Sequence, residues 1–227
     1  IEVMDASSLA DLDIYDCAYE VKDLDHSTEK WTQYYLTGEE IALLRRLRSD
    51  NRIALATTLF DVNVGIVSGE NDFFLLNTAT KEQYDLGTES IIPIVGRAEQ
   101  LKGINFSEDD FSALAATERK MFLFAPKDVD YEELTPEEKA YADYGAGAGY
   151  NKGYKCRIRK HWYVVPKTWR ADAFMLRQVN KYPRIVYNAT PAQNTDTLHK
   201  IRFKENVDGH CVSAAFLNSF TLAMCEI

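Results

Sequence analysis

Apolar positions along the chain change period several times, and each change marks an element. Behind Thr37 the sequence GEEIALLRRLR repeats apolar residues at helical spacing, and Thr37 with Glu40 forms a capping-box pattern that predicts a helix over about 38–48. From Arg52 to Asn77 β-branched and aromatic residues dominate, interrupted at Gly65 and at Ser68 to Asn71, which predicts strands separated by a turn. Ser90–Val95 reads as a further strand, with Pro93 suggesting an edge or a bulge. Ser107 caps an acidic first turn and FSALAATERK continues it as a helix, after which Met121–Phe124 is a short strand candidate. Thr135-Pro136-Glu137-Glu138 combines an N-cap, proline at the first helical position and a glutamate three residues on, predicting a helix to about Tyr144 with a flexible Gly145–Gly149 hinge behind it. Tyr154–Pro166, Pro183–Asn188 and Thr197–Phe203 read as strands, and an amphipathic helix begins near Cys211. Strands do not alternate regularly with helices, so the expected class is α+β, with a mixed or mostly antiparallel sheet and flanking helices. Residues 1–36 are acid-rich with weak periodicity, an expected connector or packing arm, and 37–227 form the main domain with a possible sub-boundary near 145–153.

Composition adds limits. With 46% hydrophobic residues the chain can bury a core. It has no unbroken apolar stretch of about 18 residues and no basic-then-apolar leader, so neither membrane insertion nor secretion is expected and the reading is cytoplasmic. The four cysteines contain no C-x-x-C pair and the four histidines no ligand spacing, so no metal is expected. The chain starts at Ile1 and ends in the apolar run NSFTLAMCEI, which fits a piece cut from a longer protein.

The net charge of −9 argues at first against a nucleic-acid partner, yet the charge is unevenly spread. Residues 1–150 hold 13 Lys/Arg against 30 Asp/Glu, residues 151–204 hold 13 against 2, and residues 205–227 none against 3; the nets of −17, +11 and −3 recover −9. Such asymmetry marks a cationic face on an acidic body.

In the strand reading of Tyr154–Pro166, Lys155, Arg157 and Arg159 share one face, with Lys160 off the alternation and His161, Trp162 and Tyr163 interleaved. A row of cations suits phosphates, and arginine also donates bidentately to guanine. Asn188, Asn194, His199, Lys200, Arg202 and Lys204 extend the set with side chains that read base edges or hold phosphates. Blander readings stand beside these: a solvated strand face, an asparagine satisfying a turn, a packed histidine. Catalytic signals are missing. An amino-methyltransferase needs an Asn/Asp-Pro-Pro-aromatic loop to hold a flipped base, and the chain has no Pro-Pro pair. Asp109, Asp110 and Glu118-Arg119-Lys120 have the residue types of a metal-dependent nuclease, but the two aspartates sit where acids meet a helix dipole.

The segments GIVSGENDFF (65–74), YKCRIRKHWYVVP (154–166), PRIVYN (183–188), NTDTLHKIR (194–202) and LNS (217–219) resemble, in order, the C-terminal half of TaqI-like N6-adenine DNA methyltransferases and the restriction-modification enzymes built on them. The resemblance implies a DNA target-recognition domain, here 37–227, that binds double-stranded DNA beside a catalytic domain missing from this chain, where S-adenosylmethionine would bind. It adds Ser68 and Asn71 to the expected DNA contacts, gives this chain no catalytic residue and no cofactor of its own, and leaves an acidic-protein docking domain as the alternative.

Overall fold

A computed structural model describes residues 2–4, 19–25, 27–166, 169–179 and 181–227, so residues 1, 5–18 and 26 of the expected acidic arm, Cys17 included, lie outside the described residues. The chain divides into two units, Ile1–Ala56 with Ser219–Ile227, and Thr57–Asn218.

In the first unit β1 (Glu2–Met4) pairs antiparallel with β2 (Tyr19–Val21). Thr37 caps α1 (Gly38–Arg48) through the expected capping box: its hydroxyl accepts from Glu40 N while its own N–H donates to the Glu40 carboxylate at 2.9 Å. Arg45 of α1 donates two hydrogen bonds to Glu29 at 2.7 and 2.9 Å. That guanidinium holds the Glu29 carboxyl down to about 2.

In the second unit the helical turn α2 (Ala56–Leu59) runs into β3 (Phe60–Val64). A five-stranded sheet is ordered β3, β11 (Leu198–Phe203), β8 (Ala173–Leu176), β9 (Ile185–Asn188) and β6 (Asn105–Phe106). All its pairs are antiparallel except β6 with β9. A four-stranded sheet is ordered β10 (Gln193–Asn194), β5 (Ile91–Val95), β7 (Phe122–Phe124) and β4 (Leu75–Leu76), antiparallel except where β10 joins β5. The architecture is α+β with mixed, mostly antiparallel sheets. β5 is an interior strand, but β10 reaches only its last two residues, so the missing N–H of Pro93 leaves no ladder bond on that side unmade.

Phe174, Leu176, Val186 and Leu198 on one face of the larger sheet pack with Val95, Leu101 and Met121, and α5 (Glu108–Ala115) lies against them. Ala173, Ile185 and Ile201 on the other face pack with Phe60 and with Val212 of α8 (Gly209–Ala215). A third core surrounds Phe73 and Phe74 of α3 (Asn71–Phe74), which precedes α4 (Thr78–Gln83); there Phe73 stacks on Tyr141 at 4.8 Å and meets Trp162 at 5.0 Å. Within the expected 52–77 strand region, Ala56–Leu59 and Asn71–Phe74 are helical turns instead of strand, the second closed where Phe74 N–H donates to Glu70 O at 3.0 Å.

Two expectations are corrected. Gly145–Gly147 belong to the helix α6 (Pro136–Gly147) and do not form a hinge. The reason is packing: a Cβ on Gly145 would lie 2.3 Å from the Phe73 ring and 2.7 Å from Trp162, so glycine here is what lets α6 approach the core. Tyr154–Pro166 is no strand either; it opens as a four-residue helical turn, α7 (Tyr154–Arg157), followed by irregular chain. Tertiary burial decides this. Cys156 is fully buried in the aromatic core and Arg159 and Tyr163 turn inward behind it, a helical spacing that overrides the strand-like alternation of charge.

Candidate nucleic-acid interface

With α7 helical, Lys155 and Arg157 leave its axis on opposite sides, while Lys155 and Arg159 lie one turn apart on the same side. That shared side faces the turn after β3. Gly69 there has φ +85°, and a Cβ on it would come 2.5 Å from Lys155 Cβ, so the Lys155 stem lies directly on the turn. Arg159 is held inward: one nitrogen donates to Val67 O at 3.1 Å and Ser68 O at 2.6 Å, and the guanidinium carbon sits 5.4 Å over the Phe74 ring. Burial pulls its pKa below the ordinary value. Arg159 thus locks α7 to the body of the domain, leaving Lys155 and Arg157 exposed without a carboxylate partner among the described residues. Tyr154 and Ile158, one turn apart, are 68% and 65% exposed beside them.

Lys160 lies 3.9 Å from Asp130, and His161 bonds Asp128 at 2.8 Å and Asp130 at 2.9 Å. The hydrogen bond to Asp128, then that to Asp130, raises the His161 pKa against its desolvation. Trp162, partly buried, packs on Phe73, and Tyr163 is buried with its hydroxyl donating to Val129 O at 2.8 Å, so both are engaged by the aromatic core.

Four other expected contacts hold the fold. Asn188 is buried, donating to Ala171 O and Ala192 O at 2.8 and 2.9 Å and accepting from Thr190 N and Oγ1 at 3.2 and 2.8 Å. Asn194 is buried, donating to Thr195 O and Leu198 O at 3.0 and 2.8 Å. Ser68 is buried and donates to Asn71 Oδ1 at 2.5 Å, which closes the glycine turn and engages Asn71, itself exposed at the start of α3. Short polar side chains commonly satisfy local backbone this way.

On β11, Lys200 and Arg202 lie on one face and His199 on the other, so the three do not form one surface. Lys200 Nζ and the Arg202 guanidinium carbon each sit 4.3 Å from the Trp169 ring centre, and Arg202 is exposed. Burial, then the Arg202 charge, lowers the Lys200 pKa. Lys204 pairs with Asp61 of β3 at 2.5 Å. Sequence reasoning missed Trp169; its signal was its place beside Arg170 inside the basic stretch. The nuclease-like pattern dissolves, because Asp110 accepts from Ser107 N and Oγ as a capping residue and Lys120 pairs with Asp72 at 3.0 Å.

The two cationic points share one backbone. β3 runs beside β11 with Asn63 opposite Lys200 and Asp61 opposite Arg202; Ile66 then bridges to Thr195, and residues 67–69 lie under α7. From residue 63 to 69 an extended chain spans at most about 20 Å.

Residues 28–227 match the family of the type II methyltransferase M.Eco57I, C-terminal domain. The chain belongs to that family. Among relatives of this M.Eco57I-type domain, the type II methyltransferase M.AccI of Acinetobacter calcoaceticus is 23% identical over 172 residues, covering 76% of this chain and 30% of that protein. The type IIG restriction endonuclease BpuSI superposes with a TM-score of 0.46 at 12% identity, over 77% of this chain and 21% of that one. The M.Eco57I-type domain described here thus spans under a third of the length of either relative.

Proposed function

We propose that this domain docks duplex DNA and selects the target of a site-specific N6-adenine DNA methyltransferase in a restriction-modification system. Its catalytic domain, which would bind S-adenosylmethionine, belongs to the rest of the parent protein, and the cytoplasm is its place of action. The observation that carries this reading is the state of Lys155 and Arg157. In a chain of net charge −9, two cations stand on a helical turn fixed from behind by Arg159, without a carboxylate to neutralise them among the described residues. Fixed, exposed cations with no ion-pair partner among the described residues suit a polyanion. Arg202, stacked on Trp169, supplies a second point for phosphate or guanine. The likeness to methyltransferase sequences points to DNA as that polyanion.

The test is the salt dependence of binding of the 227-residue chain to duplex DNA. The variant with both Lys155→Ala and Arg157→Ala should bind more weakly, with a log–log salt slope shallower by roughly 1.8, since each phosphate contact contributes about 0.9. Unchanged affinity and slope would contradict the proposal. The other reading, docking on an acidic protein surface, has Lys160 and His161 against Asp128 and Asp130 in its favour. Polyglutamate that binds as tightly as duplex DNA at equal charge would support it.

A further inference from the structure

Tyr154 and Ile158 are the largest departure from ordinary surface chemistry in the second unit. Single exposed apolar residues are commonplace. Here an aromatic and a β-branched side chain, more than three-fifths exposed, sit one turn apart on α7 so that they form one ridge. The flanking residues are exposed cations, Lys152 and Lys155 before and among them, then Arg157 and Lys160, and residues 151–160 contain no acid. An apolar protein partner would be met across a ring of positive charge, which such an interface would have to desolvate. A nucleic acid satisfies both halves of the pattern, with phosphates for the cations and base faces for the ridge.

Rigidity adds to the case. A side chain that separates stacked bases must resist being pushed back. Cys156, between the two ridge residues, is fully buried, and Arg159, directly after Ile158, donates to the carbonyls of Val67 and Ser68. The ridge therefore stands on a fixed base.

We propose that Tyr154 and Ile158 form an apolar wedge that contacts DNA bases directly, opening a base step while the surrounding cations hold the phosphates. This rests on the DNA-docking reading and goes beyond it, because phosphate contacts alone need no apolar ridge.

The experiment uses the 227-residue chain and duplexes it selects from a random-sequence pool in which 5-iodouracil replaces thymine. Ultraviolet cross-linking followed by peptide mass spectrometry reports which side chains touch bases. The wedge predicts a cross-link on the peptide bearing Tyr154. It also predicts that Tyr154→Ser weakens binding about tenfold with the salt slope unchanged, while Tyr154→Phe retains both affinity and cross-link. Circular dichroism of each variant checks that it is folded, and Ile158→Ser gives an independent second variant with the same expected signature. Selective DNA binding with cross-links confined to other peptides, or with Tyr154→Ser binding as the parent does, overturns the wedge and leaves DNA docking standing. Failure to bind duplex at all overturns both.

Discussion

Lys155 and Arg159 lie one helical turn apart, yet their surroundings give them different work. Arg159 holds two backbone carbonyls and covers the Phe74 ring, so its charge is used inside the fold. Arg159→Ala strands those acceptors, at about 1–3 kcal/mol for buried groups left unmade, and should lower the melting temperature while leaving the salt slope of DNA binding unchanged. A slope that flattens as it does for Lys155→Ala would show instead that Arg159 meets phosphate. His161 has a pH signature. Its pKa is raised in the folded chain by Asp128 and Asp130, so its contribution is complete below its ordinary value of 6.5 and is lost as pH rises through the higher folded value. The stability advantage over His161→Gln should therefore shrink between pH 6.5 and 9, as thermal melts would show; an advantage that grows with pH would contradict the pairing. Glu29 behaves in the opposite sense. Lowered from 4.5 to about 2, it stabilises above pH 4.5 and loses that contribution as pH falls toward 2.

At the scale of elements, Gly145 is the clearest case of packing outranking propensity. Alanine is the better helix former by about 1 kcal/mol. Its methyl would nevertheless overlap the Phe73 and Trp162 rings, and overpacking costs about 1–3 kcal/mol, so Gly145→Ala should destabilise the chain in urea titrations; a stabilised variant would refute the close approach. The same competition explains what was legible beforehand. The caps at Thr37, Ser107 and Thr135 form where expected, Ser107 closing in addition a box with Asp110, because each is satisfied within four residues. β8, AFML, passed unnoticed because a strand buried on both faces has no polar alternation to betray it. α7 was misread because its charges alternate while its conformation is set by Cys156 and Arg159, whose partners lie far away in the chain. Charge located the basic stretch, but residue type could not separate Asn188, Asn194 and Ser68, absorbed by backbone, from cations left facing water.

For the second unit as a whole, the segment 61–69 is the thread joining the functional parts, with Arg202 and Lys200 beside one end and Lys155 over the other. From residue 61 to 69 an extended chain spans at most about 29 Å, so both points lie within reach of a single docked duplex. On this reading Lys155, Arg157 and Arg202, and not the buried Lys200 or the acidic surface around Asp128 and Asp130, meet the nucleic acid. Hydrogen–deuterium exchange of the 227-residue chain with and without duplex DNA tests it most directly. Added protection is expected in peptides covering 152–160 and 199–204, with 127–133 unchanged. Protection confined to 127–133, or absent from 152–160 at saturating DNA, would contradict it.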